Sequence, residues 1–362
     1  MLQGLAIPTG AEIEALAAAA GCELAGVAGI GPVADFGRFA GWVERGYAGR
    51  MGYLTDHRAA LRADVRELLP PARSVICVGK LYNGPEPYST EFTDTERGWI
   101  ARYAWGEDYH RVLRAALSEL AGALERLCGP FEWKICVDTA PVLERSLARD
   151  AGLGWIGKNT CLINQARGSW FFLGELITSL PLLPNDRLAA DRCGNCARCI
   201  EACPTAAIVG APDGRYEIDS RLCISYLTIE LRGQVDEELR GRMGRHVFGC
   251  DICQDVCPWN RGAAVTEAGV FAPGDFAPSL ERLAGLSEDE FQAMFKPTPV
   301  ERARYRGFLR NVAIAMGNSG SARMLEPLLK LTAHADAVVA EHASWAVRTL
   351  ESYLDSALGR PQ

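Results

Sequence analysis

Cys193-x2-Cys196-x2-Cys199-x3-Cys203-Pro204 is followed by Cys250-x2-Cys253-x3-Cys257-Pro258, with Cys223 alone between the two runs. Three thiolates on one tight loop can wrap a 4Fe-4S cube, while the fourth points to a second cube. The second run lacks its first cysteine, and Cys223 makes up the deficit. The spacing predicts Cys193, Cys196, Cys199 and Cys257 on one cluster and Cys203, Cys223, Cys250 and Cys253 on the other. All eight are then used. Structural zinc also takes C-x2-C pairs, but rarely the full run with a partial second copy. The five remaining cysteines, Cys22, Cys77, Cys128, Cys136 and Cys161, are scattered, which does not suit a disulfide framework. Two neighbouring clusters make an electron wire, and a wire needs a terminus.

The chain has 362 residues, 48% hydrophobic and 23% charged, enough to bury cores in two or three domains. A net charge of −7 argues against a generally basic nucleic-acid binder and leaves room for a local basic patch. Met1 to Gly10 carries no Lys or Arg, and no twin-arginine pair follows. No apolar run is long enough to span a membrane. The expectation is a soluble cytoplasmic protein. No coiled-coil seam argues for assembly, so a monomer is expected.

Three segments are expected: 1–184, 185–264 and 265–362. In the first, Thr9 and Glu12 have capping-box spacing and predict a helix through Ala20. Arg73–Gly79, Trp133–Val137, Asn159–Asn164 and Ser169–Ile177 read as strands. Leu113, Leu117, Leu120, Leu124 and Leu127 mark one face of a helix opened near Asp108 and stopped by Gly129-Pro130. Another helix is expected from Val142 to Ala151. Helices alternating with strands indicate an α/β domain. The second segment holds the cysteines. The third, with apolar spacing in Phe308–Met316 and Ala337–Leu350, suits two helical hairpins.

Asp138 sits where a strand meets a helix. It is read either as a helix N-cap or as a proton donor at a sheet edge. Arg145 beside Glu144 is by default a surface ion pair. His110 opens a helix, where a lone histidine is more often a hydrogen-bonder than a catalyst. Gly154–Asn159 is glycine-rich but is neither a Walker A loop nor a dinucleotide fingerprint. Arg302, Arg304, Arg306 and Arg310 cluster at one helix start, and positions 302, 306 and 310 share a face. Such a stripe is often merely solvated.

Taken in order, several motifs resemble the epoxyqueuosine reductase family, which is related to reductive dehalogenases. They are Arg102-Tyr-Ala-Trp-Gly-Glu-Asp-Tyr-His110, Val137-Asp-Thr-Ala-Pro-Val-Leu-Glu-Arg145, Gly154-Trp-Ile-Gly-Lys-Asn159, Gly168-Ser-Trp-Phe-Phe-Leu-Gly-Glu175, the double cysteine run, and Arg221-Leu-Cys-Ile-Ser-Tyr-Leu-Thr-Ile-Glu230. The resemblance spans about residues 20 to 350. It implies a cobalamin-binding α/β domain, a ferredoxin-like domain with two 4Fe-4S clusters and a C-terminal HEAT-like helical domain that binds tRNA. It implies reduction of the epoxide of epoxyqueuosine, at the tRNA wobble position in the anticodon stem-loop, to queuosine.

In that reading Asp138 is the proton donor, and a pKa raised by burial beside the corrin would suit it. His110 and Arg145 are candidates for the substrate pocket. Cobalamin contacts carry over to Arg62, Leu162, Ser169, Leu173 and Ser225, several of them through backbone. Asp108-Tyr-His110-Arg-Val-Leu113 has Leu where the histidine-on cobalamin motif needs Gly. A base-off corrin without a protein histidine ligand is therefore expected. Arg232, Arg302, Arg306 and Arg310 become phosphate contacts, and a flavodoxin or ferredoxin is the expected electron donor. The competing readings are a reductive dehalogenase-like enzyme acting on small molecules, a plain electron carrier, and an RNA-binding scaffold without catalysis.

Overall fold

The structure is a computed structural model and describes residues 7–186, 188–267 and 269–357. Part of the leader reading of Met1 to Gly10 thus lies outside the described residues. Thr9 caps helix α1 (Gly10–Ala19) as its spacing predicts: its hydroxyl accepts the Glu12 N–H at 3.3 Å, and the Glu12 carboxylate accepts the Thr9 N–H at 2.8 Å.

The central sheet contains β1 (Leu24–Ala28), β2 (Ser74–Leu81), β3 (Trp133–Cys136) and β4 (Phe171–Thr178), in the spatial order β1-β2-β4-β3. Every pairing is antiparallel. The expected alternation of helices and strands is present, but it does not build a parallel α/β sheet. Parallel neighbours need a crossover that runs the length of a strand. Between β3 and β4 the only helix is α3 (Glu144–Asp150). Its seven residues rise about 10 Å, against about 27 Å for the eight-residue β4. β1 was hidden in the sequence because glycines interrupt its apolar run. Of the expected strand at 159–164, Leu162–Ile163 pairs with Trp155–Ile156, Asn164 makes a single bridge to Gly168, and Thr160 turns at φ 62°.

Alternate residues of the strands face opposite layers. Ile76, Val78, Phe172 and Leu176 pack against α1 and the long helix α2 (Tyr109–Cys128). Leu113, Leu117, Leu120 and Leu124 are buried as expected. Leu127 is not: it is 45% exposed, and Cys128 takes the inward place at the helix end. On the other face Val75, Cys77, Cys136 and Ile177 meet Leu147 and Ala148 of α3.

A second core ignores segment order. Trp99–Ile100 runs parallel to His246–Phe248. This pair joins α4 (Ile224–Ile229) and the C-terminal helices α5 (Arg304–Gly317), α6 (Leu325–Thr332) and α7 (Ala337–Ala357) in one hydrophobic cluster. The three stretches of sequence therefore do not form three separate cores. Among the described residues no helix is long and apolar enough to cross a membrane.

Candidate active site

Asp138 follows β3 at the edge of the sheet, in the left-handed region at φ 48°. It does not cap α3, which starts six residues later with no side-chain cap. Instead its own N–H donates to Glu144 Oε1 at 2.5 Å. Its side chain is 39% exposed, so solvent reaches the carboxylate.

Two cations converge on this carboxylate. Asp108 caps α2 by accepting the His110 N–H at 3.0 Å, and it holds His110 Nδ1 at 2.7 Å. The ring's Nε2 then meets Asp138 Oδ2 at 3.2 Å. The imidazole lies on Tyr109, and Tyr109 lies flat on Phe172 of β4, with ring centroids 4.2 and 4.4 Å apart. His110 is thus tied by both nitrogens and by stacking. Arg302 comes from the C-terminal segment. Its Nε pairs with Glu230 at 2.7 Å, one Nη donates to Tyr53 Oη at 3.3 Å, and the other stands 3.5 Å from Asp138 Oδ2.

These neighbours set the protonation. Burial opposes charge on His110, but Asp108 and Asp138 outweigh it and raise its pKa to about 9. Burial alone would raise Asp138, yet His110, Arg302 and Tyr109 hold its carboxyl below the usual range. Among the protein's own groups the proton therefore sits on His110; the expectation of a raised Asp138 pKa concerns burial beside the corrin. Burial and the Asp138 charge push Glu144 up to about 7.

Arg145 is not paired with Glu144. It donates to Thr160 O at 2.6 Å and to Thr160 Oγ1 at 3.1 Å, on the same edge as Asp138. The glycine-rich 154–159 stretch is a bridge to the cysteine segment. Lys158 Nζ donates to the carbonyls of Gly194 and Cys196 at 2.7 and 2.9 Å, and Asn159 Nδ2 to that of Cys253 at 3.2 Å. Gly154 allows the close approach, since a Cβ there would lie 2.2 Å from Ile163 O.

None of the eight clustered cysteines is in a disulfide. Cys199 has Cys193, Cys257 and Cys196 as its thiol neighbours, while Cys250 has Cys223 and Cys203. Cys253 neighbours Cys250 and Cys223 and also meets Cys161 of the first segment. Among the described residues no three donors gather tightly enough to hold a single ion.

The residues expected at cobalamin differ in availability. Leu173 and Ser225 are half-buried. Leu162 is 4% exposed, and Arg62 is 6% exposed with its guanidinium on the Arg58 and Tyr53 carbonyls. Ser169 has its N–H, carbonyl and hydroxyl engaged by Asn260 and Gln254, which ties the turn before β4 to the cysteine segment. Half-buried Ala140, Leu143, Ile156 and Leu173 pack against the core under α3.

The arginine stripe also divides. Arg232 and Arg306 are exposed, as is Arg304, and Arg306 donates to Arg232 O at 2.7 Å. Arg302 turns inward to Asp138. Arg310 is 1% exposed and donates to the carbonyls of Leu231, Gly233 and Leu227, so it has no surface to offer a phosphate. Sequence reasoning missed Tyr53, Glu230, Glu144 and Glu175 in or behind the site. The available signal was Glu175, a carboxylate at an inward position of an otherwise apolar strand.

A family model described as "4Fe-4S double cluster binding domain" matches residues 192–260. One described as "Epoxyqueuosine reductase QueG, DUF1730" matches residues 62–139. The chain is 42% identical over 344 residues to the epoxyqueuosine reductase of Xanthomonas campestris pv. campestris, covering 93% of this chain and 95% of that one. A crystal structure of epoxyqueuosine reductase with an epoxyqueuosine-modified tRNA-Tyr stem loop matches with TM-score 0.84 and 29% identity, covering 97% of this chain and 94% of that one. The Bacillus subtilis enzyme, in a structure with its catalytic aspartate loop swung out of the active site, matches with TM-score 0.84 and 28% identity over the same shares. The chain belongs to the epoxyqueuosine reductase family.

Proposed function

We propose that this chain reduces the epoxide of epoxyqueuosine in a tRNA anticodon stem-loop to the alkene of queuosine. One observation carries this reading beyond family membership. Asp138 is solvent-reachable after β3 and hydrogen-bonded to an imidazole that is anchored from behind, and Arg302, held by Glu230 of the cysteine segment, reaches the same carboxylate. The residue read as proton donor is thus tied through Arg302 to the segment read as the electron wire.

Removing an epoxide oxygen as water takes two electrons and two protons. Asp138 hands a proton to the departing oxygen, and His110 is its source. A carboxylate fed by a charged imidazole can act as a general acid near neutral pH. Arg302 steadies the Asp138 carboxylate while Glu230 and Tyr53 steady Arg302. Arg145, braced by Thr160, is positioned to orient the substrate. In the Bacillus subtilis relative the catalytic aspartate loop has swung out. The same motion here would break the contacts of Asp138 with His110, Arg302 and Glu144.

The two thiol sets suit two 4Fe-4S clusters, Cys193, Cys196, Cys199 and Cys257 holding one and Cys203, Cys223, Cys250 and Cys253 the other. The apolar rim of Ala140, Leu143, Ile156 and Leu173 fits a flat macrocycle, with Arg62, Leu162 and Ser225 as further contacts. Cobalamin bound there supplies low-potential two-electron chemistry at cobalt. His110 has neither ring nitrogen free, which supports a corrin without a protein histidine below it. Arg232, Arg304 and Arg306 provide exposed charge for tRNA phosphates. An unstacked loop nucleotide is the natural substrate for a pocket of this kind. The reading places the enzyme in the cytoplasm as a monomer, fed by a flavodoxin or ferredoxin.

The test is one anaerobic reaction with cobalamin, a low-potential reductant and tRNA carrying epoxyqueuosine. Mass spectrometry of the digested tRNA should show loss of one oxygen only when cobalamin is present. No loss, with both clusters intact and corrin bound, would overturn the proposal.

A further inference from the structure

Glu175 sits in the middle of β4, opposite Cys77 of β2 and Cys136 of β3. Directly opposed residues project to the same face. Cys77 and Cys136 pack with Leu147 and Ala148, so Glu175 lies beneath α3. It is 0% exposed, and neither carboxyl oxygen has a hydrogen-bond partner. An ionised carboxylate there, without a partner, would cost many kcal/mol, so the group stays neutral and holds its proton. Packing alone does not ask for it, since an apolar side chain would suit the site and remove the penalty. The groups facing it are Cys77, Cys136, Glu144 at the head of α3 and Asp138 after β3. Asp150 closes α3, Lys134 at the sheet edge reaches away to Leu68 O, Arg114 of α2 acts on Cys136, and Arg145 and His110 act on Glu144. The charges acting on Glu175 itself are the two carboxylates of Glu144 and Asp138. Glu144 in turn holds the Asp138 N–H, a single residue's reach from the reacting carboxyl.

The reaction proposed above breaks both C–O bonds of the epoxide, forms a C=C bond and releases the oxygen as water. It consumes two electrons from the reductant and two protons. The His110–Asp138 couple holds one proton. Resting on that reading, we propose that Glu175 and Glu144 are a proton reserve behind Asp138: Glu175 stores the second proton under α3, Glu144 takes it at the helix head, and Asp138 passes it to the leaving oxygen. Burial keeps Glu175 protonated well above the usual carboxyl range, which suits a store that stays filled at alkaline pH.

The experiment compares wild-type holoenzyme with Glu175→Gln and Glu175→Met, both near in size and unable to release a carboxyl proton. Single-turnover loss of the epoxide oxygen is followed from pH 6 to pH 9. Both variants should stay within about 3-fold of wild type at pH 6, where the medium supplies protons, and fall about 10-fold or more below it at pH 9. A merely structural role would lower the rate alike at every pH. An infrared difference spectrum, wild type minus Glu175→Gln at pH 8, should show the stretch of a protonated carboxyl, independent of turnover. Variants that follow wild type at every pH, or a spectrum without that band, would overturn the reserve. A wild-type enzyme that leaves epoxyqueuosine intact would instead overturn the proposed function, and the reserve with it.

Discussion

Replacing Asp138 by Asn should lower the pKa of His110, and the size of the shift can be reasoned from the contacts. The rise from 6.5 to about 9 corresponds to a preference for the imidazolium of about 3 kcal/mol. It is the surplus of two carboxylates, at 2.7 and 3.2 Å, over the cost of burial. Asp138→Asn keeps the shape and removes one charge, so the pKa should fall by at least about one unit, a typical effect of a single close opposite charge. The assay is a pH titration of histidine-labelled protein by NMR, with His110 assigned by its loss in His110→Gln. The chain has only five histidines, which keeps the assignment tractable.

The same shift has a stability consequence with a definite sign. A histidine whose folded pKa is raised stabilises the fold fully below its unfolded pKa, near 6.5, and the gain fades as pH climbs through about 9. About 2 kcal/mol should remain at pH 7.5. The denaturation difference between wild type and His110→Gln should therefore shrink from pH 6 to pH 10. A wild-type His110 that titrates near 6.5, or one that ignores Asp138→Asn, would refute the charge distribution described for this site.

Other outcomes follow from the same contacts. Arg310→Met strands the carbonyls of Leu231, Gly233 and Leu227 and should cost about 2–4 kcal/mol of stability in denaturant unfolding, with tRNA affinity of the folded protein unchanged. Arg302→Gln should lower the single-turnover rate about 10-fold or more while weakening tRNA binding less than Arg306→Gln does, because Arg302 faces Asp138. Neutralising Arg232, Arg304 and Arg306 together should flatten the log–log salt dependence of tRNA affinity by about 2 to 3, read by filter binding across a salt series.

What could be read from the sequence divides along physical lines. The double-cluster segment was legible because its short-range cysteine spacing on a loop is specific, and the 4Fe-4S double cluster family model falls on the same residues. Leu113 to Leu124 was legible because helix period and burial coincide. β1 was lost because its glycine weakens the strand pattern that Val27 and Ala28 complete. Arg302 and Arg310 show the limit most clearly. Their four-residue spacing put them on one helical face, but α5 begins only at Arg304, so Arg302 lies in the preceding 3-10 turn and points at Asp138. Arg310 is drawn inward by the carbonyls of Leu227 in α4 and of Leu231 and Gly233 after it, some eighty positions earlier in the chain. The pairing of Asp138 with His110 spans 28 positions, and no local pattern encodes it. The Asp138 pKa also depends on two separate stretches, Tyr109–His110 and Arg302, whose effect runs against burial.

The most direct test of the account is the single-turnover rate of epoxide-oxygen loss in Asp138→Asn against wild type, with cluster and corrin content matched. If Asp138 delivers the proton, the rate should fall by about 100-fold or more, the range of general acid catalysis. A rate within a few-fold of wild type would show that the proton comes from elsewhere and would contradict the role given to Asp138.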